Sequence, residues 1–506
     1  MNIVKNLLLG TAASFVAVAG AQAADMPVKA KPVQYVKICS LYGDGFYYIP
    51  GTDTCIKMGG YVRVQVEYNM GGGGIPYGSG AAAAAQARFT RDLTNDVNYR
   101  TRGAISWDVR QQTEYGTLRT YIRTGIQTTT PVDTENGAVF WDRAFIQFAG
   151  FTVGKTQSFF DLFTYGGGMS YHNVRTSGDT GAGGVTVWAY TAQFGNGFSG
   201  TISAESPIGH NRSPVSDAAA GNFALNAAVG NDTAFSQQAA AGLNGFRMPD
   251  IIANLRVDQA WGFVGVSAAL HDASGGYYGG GNSVNNGHPA DKYGWAFAAG
   301  GQLNLPGGDQ AGINFAYSEG AAGYATNIGT GMQIYNASTS IGVGWLTDGI
   351  FDTGTEIQLT RVWSINAGYQ HIWNPKWRTS IFGGYVNVSY NDTAKNIINN
   401  HLPTPPVGAL ACGVPVFGAV SPPINVGTGA NNSCSPNFSF YEIGTRTQWN
   451  PVPQLDIGVE VLYTHLNTAY KGLGVVPANG SRPSVSIVDD QNVWSAMFRW
   501  QRNFYP

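Results

Sequence analysis

Charge is scarce in this sequence. Lysine, arginine, aspartate and glutamate together make up 12% of its 506 residues, whereas soluble domains carry about 25%. The net charge of −2, and the lack of any basic cluster interleaved with aromatic residues, leave no basis for nucleic-acid binding. We therefore expect no nucleic-acid partner.

Long apolar runs are also missing. After the N-terminal region the sequence has no 18 consecutive apolar residues, so it predicts no transmembrane helix. The one apolar stretch, from Leu7 to Ala19, follows Lys5 and precedes the small-x-small site Ala21-Gln22-Ala23. This pattern predicts a signal peptide of residues 1–23. The stretch is too short for a membrane anchor.

Metal-binding and catalytic signatures are absent. No two cysteines have C-x-x-C spacing, and no histidines have H-x-x-x-H or H-E-x-x-H spacing. Most of the seven histidines, including His172 and His271, fall in or near proposed loops, where a solvated side chain is the default expectation. No nucleophile and base are singled out. We expect no metal, no cofactor and no enzymatic activity.

The cysteines are few but even in number. An exported chain with four cysteines is expected to form disulfides in an oxidising compartment. The pairs Cys39–Cys55 and Cys412–Cys434 close the two shortest loops and are favoured among the three possible pairings. Free buried thiols are the alternative.

What the sequence does contain is alternation with a period of two. In residues 493–504, Trp494, Phe498 and Trp500 share one parity, whereas Arg499 and Gln501 share the other. Such a segment predicts a strand with one apolar face and one polar face. Its twelve residues suffice for a tilted strand to cross a bilayer.

The same alternation recurs along the chain. Strands are expected at 56–68, 99–110, 118–127, 139–150, 151–158, 185–194, 198–206, 250–259, 262–272, 292–304, 311–319, 357–372, 377–391, 438–449, 454–465 and 493–504. Short links such as 195–197 and 450–453 alternate with long ones such as 159–184 and 392–437. Short turns at one end and long loops at the other are typical of an outer-membrane barrel, whereas a soluble sandwich does not usually sort its loops by length.

The predicted fold is therefore all-β: a transmembrane antiparallel β-barrel of sixteen strands. Eighteen strands are possible if residues 339–351 add a hairpin. Residues 24–55 are expected to form a leader on the periplasmic side, and residues 56–506 the barrel with its extracellular loops. The glycine content, 69 of 506 residues, and the 12% aromatic content suit such a barrel.

Arginines dominate the polar parity of the first four strands. Glu67 and Asp108 are the only acids expected on the same faces. Because consecutive strands are neighbours in a barrel, these arginines are expected to form one basic wall of the lumen; a solvated basic face on a soluble sandwich is the alternative. The wall consists of Arg63, Arg100, Arg102, Arg110, Arg119, Arg123 and Arg143.

Three stretches resemble the trimeric general porins of alphaproteobacteria, the type described in Brucella and rhizobial outer membranes. They are residues 42–55 (YGDGFYYIPGTDTC) continuing into 59–63 (GGYVR), residues 144–161 (AFIQFAGFTVGKTQSFFD), and residues 499–504 (RWQRNF). The first two are specific; the third is general to outer-membrane barrels. Here two further residues, Tyr505 and Pro506, follow the aromatic residue at which many such barrels end.

The resemblance implies a homotrimer whose third long loop folds into the lumen. In this sequence that loop is 159–184, beginning with Phe159, Phe160 and Asp161 and containing Asp179. We expect it to form a constriction opposite the basic wall, where opposed charges produce a transverse field.

The expected function is passive diffusion of ions and small hydrophilic solutes across the bacterial outer membrane. Expected partners also include outer-membrane lipid, lipopolysaccharide and the barrel-assembly machinery. Two alternatives stay open: a closed structural or receptor barrel, and a substrate-specific, sugar-type channel. The second would need a file of aromatic side chains in the lumen, to which Tyr61 and Tyr121 would belong.

Overall fold

The fold is taken from a computed structural model. It describes most of the chain, and the predicted signal peptide lies outside the described part. The described residues are 37–70, 96–130, 137–163, 168–172, 174–180, 183–210, 215–220, 247–280, 284–329, 331–335, 340–401, 434–472, 474–475 and 486–504.

Sixteen long strands of the described chain form one closed antiparallel sheet. They are β1 (Cys55–Tyr68), β2 (Val97–Thr113), β3 (Gly116–Thr129), β4 (Ala138–Phe148), β5 (Phe151–Thr156), β6 (Val185–Gly195), β7 (Phe198–Glu205), β8 (Asp250–Gln259), β9 (Gly262–Asp272), β10 (Tyr293–Asn304), β11 (Gln310–Glu319), β12 (Arg361–Asn374), β13 (Trp377–Ser389), β14 (Phe438–Trp449), β15 (Leu455–Asn467) and β16 (Gln491–Asn503).

The sheet closes between its first and last strands. Tyr61 of β1 lies opposite Asn503 of β16, and Tyr68 lies opposite Ala496. Closure removes the free edges that a flat sheet would leave unpaired. The all-β barrel of sixteen strands predicted from alternation is confirmed.

The outer surface of the barrel is apolar, and its inner surface is polar. On β1 the side chains of Val62 and Val64 are 49% and 45% exposed, whereas Gln65 is 1% exposed. Charged side chains reach the outer face near strand ends: Arg361 begins β12, and its Nε lies 3.4 Å from Oε1 of Glu319. The parity assigned from the sequence is therefore the observed one.

Link length separates the two ends of the barrel. At the short-turn end β6 and β7 are joined through Asn196 and Gly197, whose φ angles of 51° and 74° fit the tight hairpin that an Asn-Gly pair favours. At the long-loop end the links reach 48 residues, between β13 and β14. Within the described chain no helix is long and apolar enough to span a membrane.

Short elements of the described chain lie before β1 and in the links between barrel strands, mostly in the long loops. The short strands are Tyr47–Tyr48, Val215–Asp217, Gly331–Tyr335, Ser340–Trp345, Gly349–Phe351, Gln358–Leu359, Gly474–Val475 and Ser486–Val488. The helices are α1 (Asp392–His401) and the 3-10 turns Ser40–Tyr42, Pro207–His210, Ala218–Ala220, Tyr278–Gly280, Val284–Asn286, Pro306–Gly308 and Ala322–Tyr324.

The possible extra hairpin at 339–351 is not part of the barrel. Ser340–Trp345 pairs with Gly331–Tyr335 and Ser486–Val488 in a small sheet of the loops. Gly349–Phe351 pairs in another small sheet with Val215–Asp217 and Gln358–Leu359. The eighteen-strand alternative is therefore wrong, because these segments pair with other loops instead of with barrel strands.

The segment before β1 is fastened to the barrel at its short-turn end. A disulfide joins Cys39 to Cys55, as expected, and Cys55 lies opposite Arg110 in the sheet. The Arg110 guanidinium lies 4.9 Å from the ring centre of Phe46, which is 4% exposed. The segment thus packs beside the basic strands. The second expected disulfide includes Cys412, which lies outside the described residues.

Candidate functional site

The arginines predicted from the sequence lie together on the inner face of β1–β4. The sheet register places three pairs of them directly opposite each other: Arg63 with Arg102, Arg110 with Arg119, and Arg123 with Arg143. Like charges in such positions destabilise a sheet unless other groups compensate them.

Asp108 compensates one of these pairs. Its Oδ2 accepts hydrogen bonds from Arg110 Nη2 at 2.7 Å and from Arg119 Nη2 at 2.9 Å. Its Oδ1 accepts from Nε of each arginine at 3.0 Å. One carboxylate thus holds two guanidiniums in bidentate geometry, the strong arrangement for such pairs.

Asp142 compensates Arg123 of a second pair, and the sequence analysis missed this acid. The register between β3 and β4 shifts after Arg123, where Trp141 instead of Asp142 pairs with Thr124. Because this bulge adds a residue, both Asp142 and Arg143 point inward. Asp142 accepts from Arg123 Nε at 2.7 Å and Nη2 at 2.9 Å. The expectation that Glu67 and Asp108 are the only acids on this wall is therefore wrong.

Three other arginines of the wall, Arg63, Arg100 and Arg102, have mainly neutral partners. Arg63 Nε donates to Gln501 at 2.6 Å, and Arg100 Nη2 donates to Gln127 at 2.8 Å. We call these three arginines the uncompensated triad. Within the described chain, none of the three forms an ion pair with a carboxylate within 4.0 Å.

The third residue of the triad stacks on an aromatic ring. The Arg102 guanidinium lies 3.7 Å from the ring centre of Phe140, and its Nη1 is 3.5 Å from the Tyr61 hydroxyl. Glu67 interacts with Arg100 electrostatically, but it is fully buried and accepts a hydrogen bond from Gln65 at 2.8 Å. The triad therefore concentrates positive charge on β1 and β2.

The loop between β5 and β6 crosses the lumen to the other half of the barrel. Its residues 164–167, 173 and 181–182 lie outside the described part. The described side chains sit over inward-facing glycines of five strands. Leu162 lies over Gly265 of β9, Phe163 over Gly312 of β11, Met169 over Gly368 of β12, Thr176 over Gly384 of β13 and Tyr171 over Gly458 of β15.

These glycines make room for the loop. A Cβ at Gly312 would lie 2.2 Å from the ring of Phe163, and one at Gly458 would lie 2.2 Å from the hydroxyl of Tyr171. Real Cβ atoms do not approach other atoms so closely. A larger residue at either position would therefore displace the Phe163 or Tyr171 side chain of the loop.

His172 fixes the middle of the loop to two strands. Its Nδ1 lies 2.8 Å from Glu460 of β15, and its Nε2 lies 3.8 Å from Glu442 of β14. Burial would lower the pKa of His172, but the charges of Glu460 and Glu442 outweigh burial and raise the pKa to about 9. The imidazole is therefore charged at neutral pH. The expectation of a solvated His172 is wrong, since the side chain is 1% exposed.

Backbone groups of the loop bind the same carboxylates. Glu460 accepts from the N–H groups of Tyr171 at 2.5 Å and His172 at 3.1 Å, and Glu442 accepts from that of Arg175 at 3.1 Å. On β16, Arg499 donates to the Tyr171 carbonyl at 2.7 Å. We call His172, Glu442 and Glu460, with these bonds, the loop latch.

The two ends of the loop hold each other. Asp161 accepts from the backbone N–H of Thr180 at 2.9 Å and from its hydroxyl at 2.5 Å. Asp179 accepts from Ser177 Oγ at 3.1 Å. Asp161 also interacts electrostatically with Arg143 of the basic wall. These hydrogen bonds join residues of the loop to one another.

Phe159 and Phe160 anchor the loop near the long loops. The backbone N–H of Phe159 donates to Glu205 at 3.0 Å, and the ring of Phe160 lies 4.7 Å from that of Tyr324. Beside them His271, also expected to be solvated, is 3% exposed. Its Nδ1 lies 2.8 Å from Asp250, and its Nε2 lies 3.4 Å from Asp348.

Comparison with known proteins agrees with this architecture. The profile of the Porin subfamily matches residues 25–497. Porin Omp2b of Brucella canis is 33% identical over 277 residues, covering 52% of this chain and 64% of that relative. Porin Omp2b of Brucella melitensis is 32% identical over 276 residues, with the same coverage. The matched region thus spans less than two thirds of these relatives.

Solved structures share the fold. The outer-membrane channel DcaP of Acinetobacter baumannii superposes with a TM-score of 0.57 at 12% identity, covering 90% of this chain and 99% of that chain. A closed sixteen-stranded barrel with an apolar exterior and a polar interior is an integral outer-membrane protein. Within that class, the chain belongs to the Porin subfamily.

Proposed function

We propose that this protein is a passive diffusion channel for ions and small hydrophilic solutes. Membership of the Porin subfamily and the polar inner face of the barrel support this function. A diffusion channel needs no nucleotide, metal or catalytic group, and we propose no enzymatic activity. The short-turn end then faces the periplasm, and the long loops face the outside.

The passage runs between the basic wall and the inserted loop. The loop packs against β9–β16, with its side chains over Gly265, Gly312 and Gly458. Solutes then pass through the space beside β1–β4. The loop therefore sets the narrowest point. Charges on a low-dielectric wall act strongly on ions confined beside it.

The single observation that carries the proposed selectivity of the channel is the uneven compensation of charge on the basic wall. Asp108 and Asp142 neutralise part of the charge of Arg110, Arg119 and Arg123. The uncompensated triad retains most of its charge and attracts anions. We propose that the channel favours small anions over cations and that Arg63, Arg100 and Arg102 set this preference.

Reconstitution into planar lipid bilayers tests the channel itself. We expect purified protein to produce stepwise, long-lived openings, and liposomes that contain it to swell in solutions of small sugars. A folded barrel that inserts but produces neither openings nor swelling would instead be the closed receptor or structural barrel.

We also propose that the mature chain begins after Ala23 and assembles as a homotrimer in the outer membrane. Contacts with lipid and lipopolysaccharide would cover the remaining apolar exterior, and the barrel-assembly machinery would insert the chain. Mass measurement of unheated protein in mild detergent tests the trimer; a monomeric mass would contradict it. N-terminal sequencing of the purified protein tests the cleavage site.

A further inference from the structure

We propose that the lumen contains a second lane, apart from the basic wall, with a weak binding site for neutral polyhydroxylated solutes of monosaccharide or disaccharide size. The site is a cavity of about 460 Å³ beneath the base of the inserted loop. We call it the alcove. Its use depends on the open channel proposed above, but its binding chemistry is separate from that of the basic wall.

The alcove lies toward the short-turn end of the barrel. Its wall comes from strands β4, β5, β8, β9 and β10, and residues 157–159 and 161–163 of the loop complete the lining. Four amide side chains line it: Gln147, Gln157, Asn254 and Gln302. Each amide offers both donors and acceptors, as a hydroxyl-rich solute requires.

The amides are held in place to different degrees. Gln147 accepts from Arg119 at 2.9 Å and donates to Thr152 at 3.2 Å, and Asn254 donates to Ser267 at 2.9 Å. Within the described chain, the side-chain amide of Gln302 has no hydrogen-bond partner. It is therefore available to a solute.

The charged groups at the alcove are already engaged. Arg256 donates from Nε and Nη2 to the two oxygens of Asp258, both at 2.8 Å, and its guanidinium lies 3.7 Å from the ring centre of Phe263. Asp161 accepts from both groups of Thr180. Arg256 therefore offers a passing anion less charge than the arginines of the uncompensated triad do.

The rest of the lining favours a carbohydrate over a plain polar solute. The rings of Phe159, Phe163 and Phe263 line the cavity beside the amides. Apolar surfaces with a few convergent polar groups are typical of small-molecule sites, and the volume falls within their usual range of about 300–1,000 Å³. Sugars present apolar C–H faces and hydroxyl edges, which match these two kinds of lining.

The aromatic side chains expected from the sequence are less suited to this role. The guanidinium of Arg63 lies 4.9 Å from the ring centre of Tyr61, and that of Arg119 lies 5.4 Å from the ring centre of Tyr121. Tyr121 also stacks on Phe145 at 5.4 Å. Cations and a neighbouring ring thus occupy faces that a sugar would use there. A cation also covers one face of Phe263, so the alcove differs chiefly in its four amide side chains.

Titration of the channel current with maltose tests the alcove. Maltose added to reconstituted wild-type protein should reduce the current in a saturable way, beyond the decrease in bulk conductivity. Gln302→Leu keeps the approximate size of the side chain but removes the amide. It should raise the half-saturating maltose concentration by about two- to tenfold, the range for one lost hydrogen bond. Gln112→Leu, an exposed glutamine on β2 outside the alcove, should leave the titration unchanged.

Several outcomes separate this proposal from the proposed function. A wild-type current that falls only with bulk conductivity would overturn the alcove, whatever the variants do. An equal response of the Gln302→Leu and wild-type channels would overturn it as well. If Arg63→Gln with Arg102→Gln alters ion selectivity but not the maltose titration, the two lanes are distinct. If ion selectivity does not change but maltose still saturates, the basic-wall proposal fails and the alcove stands.

Discussion

The Nδ1 atom of His172 lies 2.8 Å from Oε1 of Glu460, and this contact joins the inserted loop to the barrel wall. Both side chains are almost fully buried. Removing one partner of a buried ion pair is costly because the other charge is left without compensation. The position of the loop, and with it the width of the passage, therefore depends on this pair.

Glu460→Gln is predicted to loosen the loop. The substitution removes the charge that faces His172 and weakens the acceptor for two backbone N–H groups, at an expected cost of about 3 kcal/mol. Single-channel recordings should show larger current fluctuations than the wild-type protein. The matched control is Glu114→Gln, in the exposed turn between β2 and β3; fluctuations equal in both variants would contradict the latch.

The latch also predicts a dependence on pH. The docked loop holds the pKa of His172 at about 9, above the ordinary value of about 6.5. The stabilisation from its charge is therefore complete below about pH 6.5 and is lost as the pH rises through about 9. Current fluctuations should stay low from pH 6 to 8 and increase above pH 9. A His172→Gln channel should lack this alkaline transition; if it retains the transition, another group is responsible.

Gly312→Val is predicted to push the base of the loop away from β11. A Cβ at this position would lie 2.2 Å from the Phe163 ring, whereas one at Gly103 would meet nothing within 4 Å. Gly103→Val therefore serves as the control for substitution in a strand. Conductance should change in Gly312→Val and stay near the wild-type value in Gly103→Val. Unchanged conductance in both would show that Phe163 does not position the loop.

The outward face of β1 should reject charge. Val64 is 45% exposed on the apolar exterior, and an arginine on a lipid-facing position at mid-bilayer costs about 2–4 kcal/mol. Val64→Arg should thus reduce the yield of folded barrel. Gln65→Arg, on the inner face 2.8 Å from Glu67, should be better tolerated. Equal yields of heat-modifiable barrel on gels would contradict the assigned register.

Alternation was sufficient to predict the barrel because a period of two directly reports which side chains face outward. Even the arginines of β1–β3 were placed on the inner wall by parity alone. Parity failed at Asp142, because a bulge in β4 shifts the register and no residue pattern marked it. The carboxylate that parity misses compensates part of the charge of Arg123.

The loop latch could not be inferred because its partners are far apart in the sequence. His172 and Glu460 are separated by 288 residues, and only the closed barrel brings them together. The sequence held partial signals. Glu442 and Glu460 lie on the inward parity of β14 and β15, and Gly458 lies on the inward parity of β15. An inward glycine indicates that something packs against the wall, but it does not indicate what.

The reversal potential across a salt gradient tests the central claim most directly. In dilute KCl the wild-type channel is predicted to favour chloride, and Arg63→Gln with Arg102→Gln should shift the potential toward potassium. Asp108→Asn with Arg119→Gln, which removes one charge of each sign, should leave it nearly unchanged. The difference should shrink at high salt, since the Debye length falls from about 10 Å at 0.1 M to about 3 Å at 1 M. If the potential of the triad variant equals that of the wild type in dilute KCl, the uncompensated arginines do not set the selectivity.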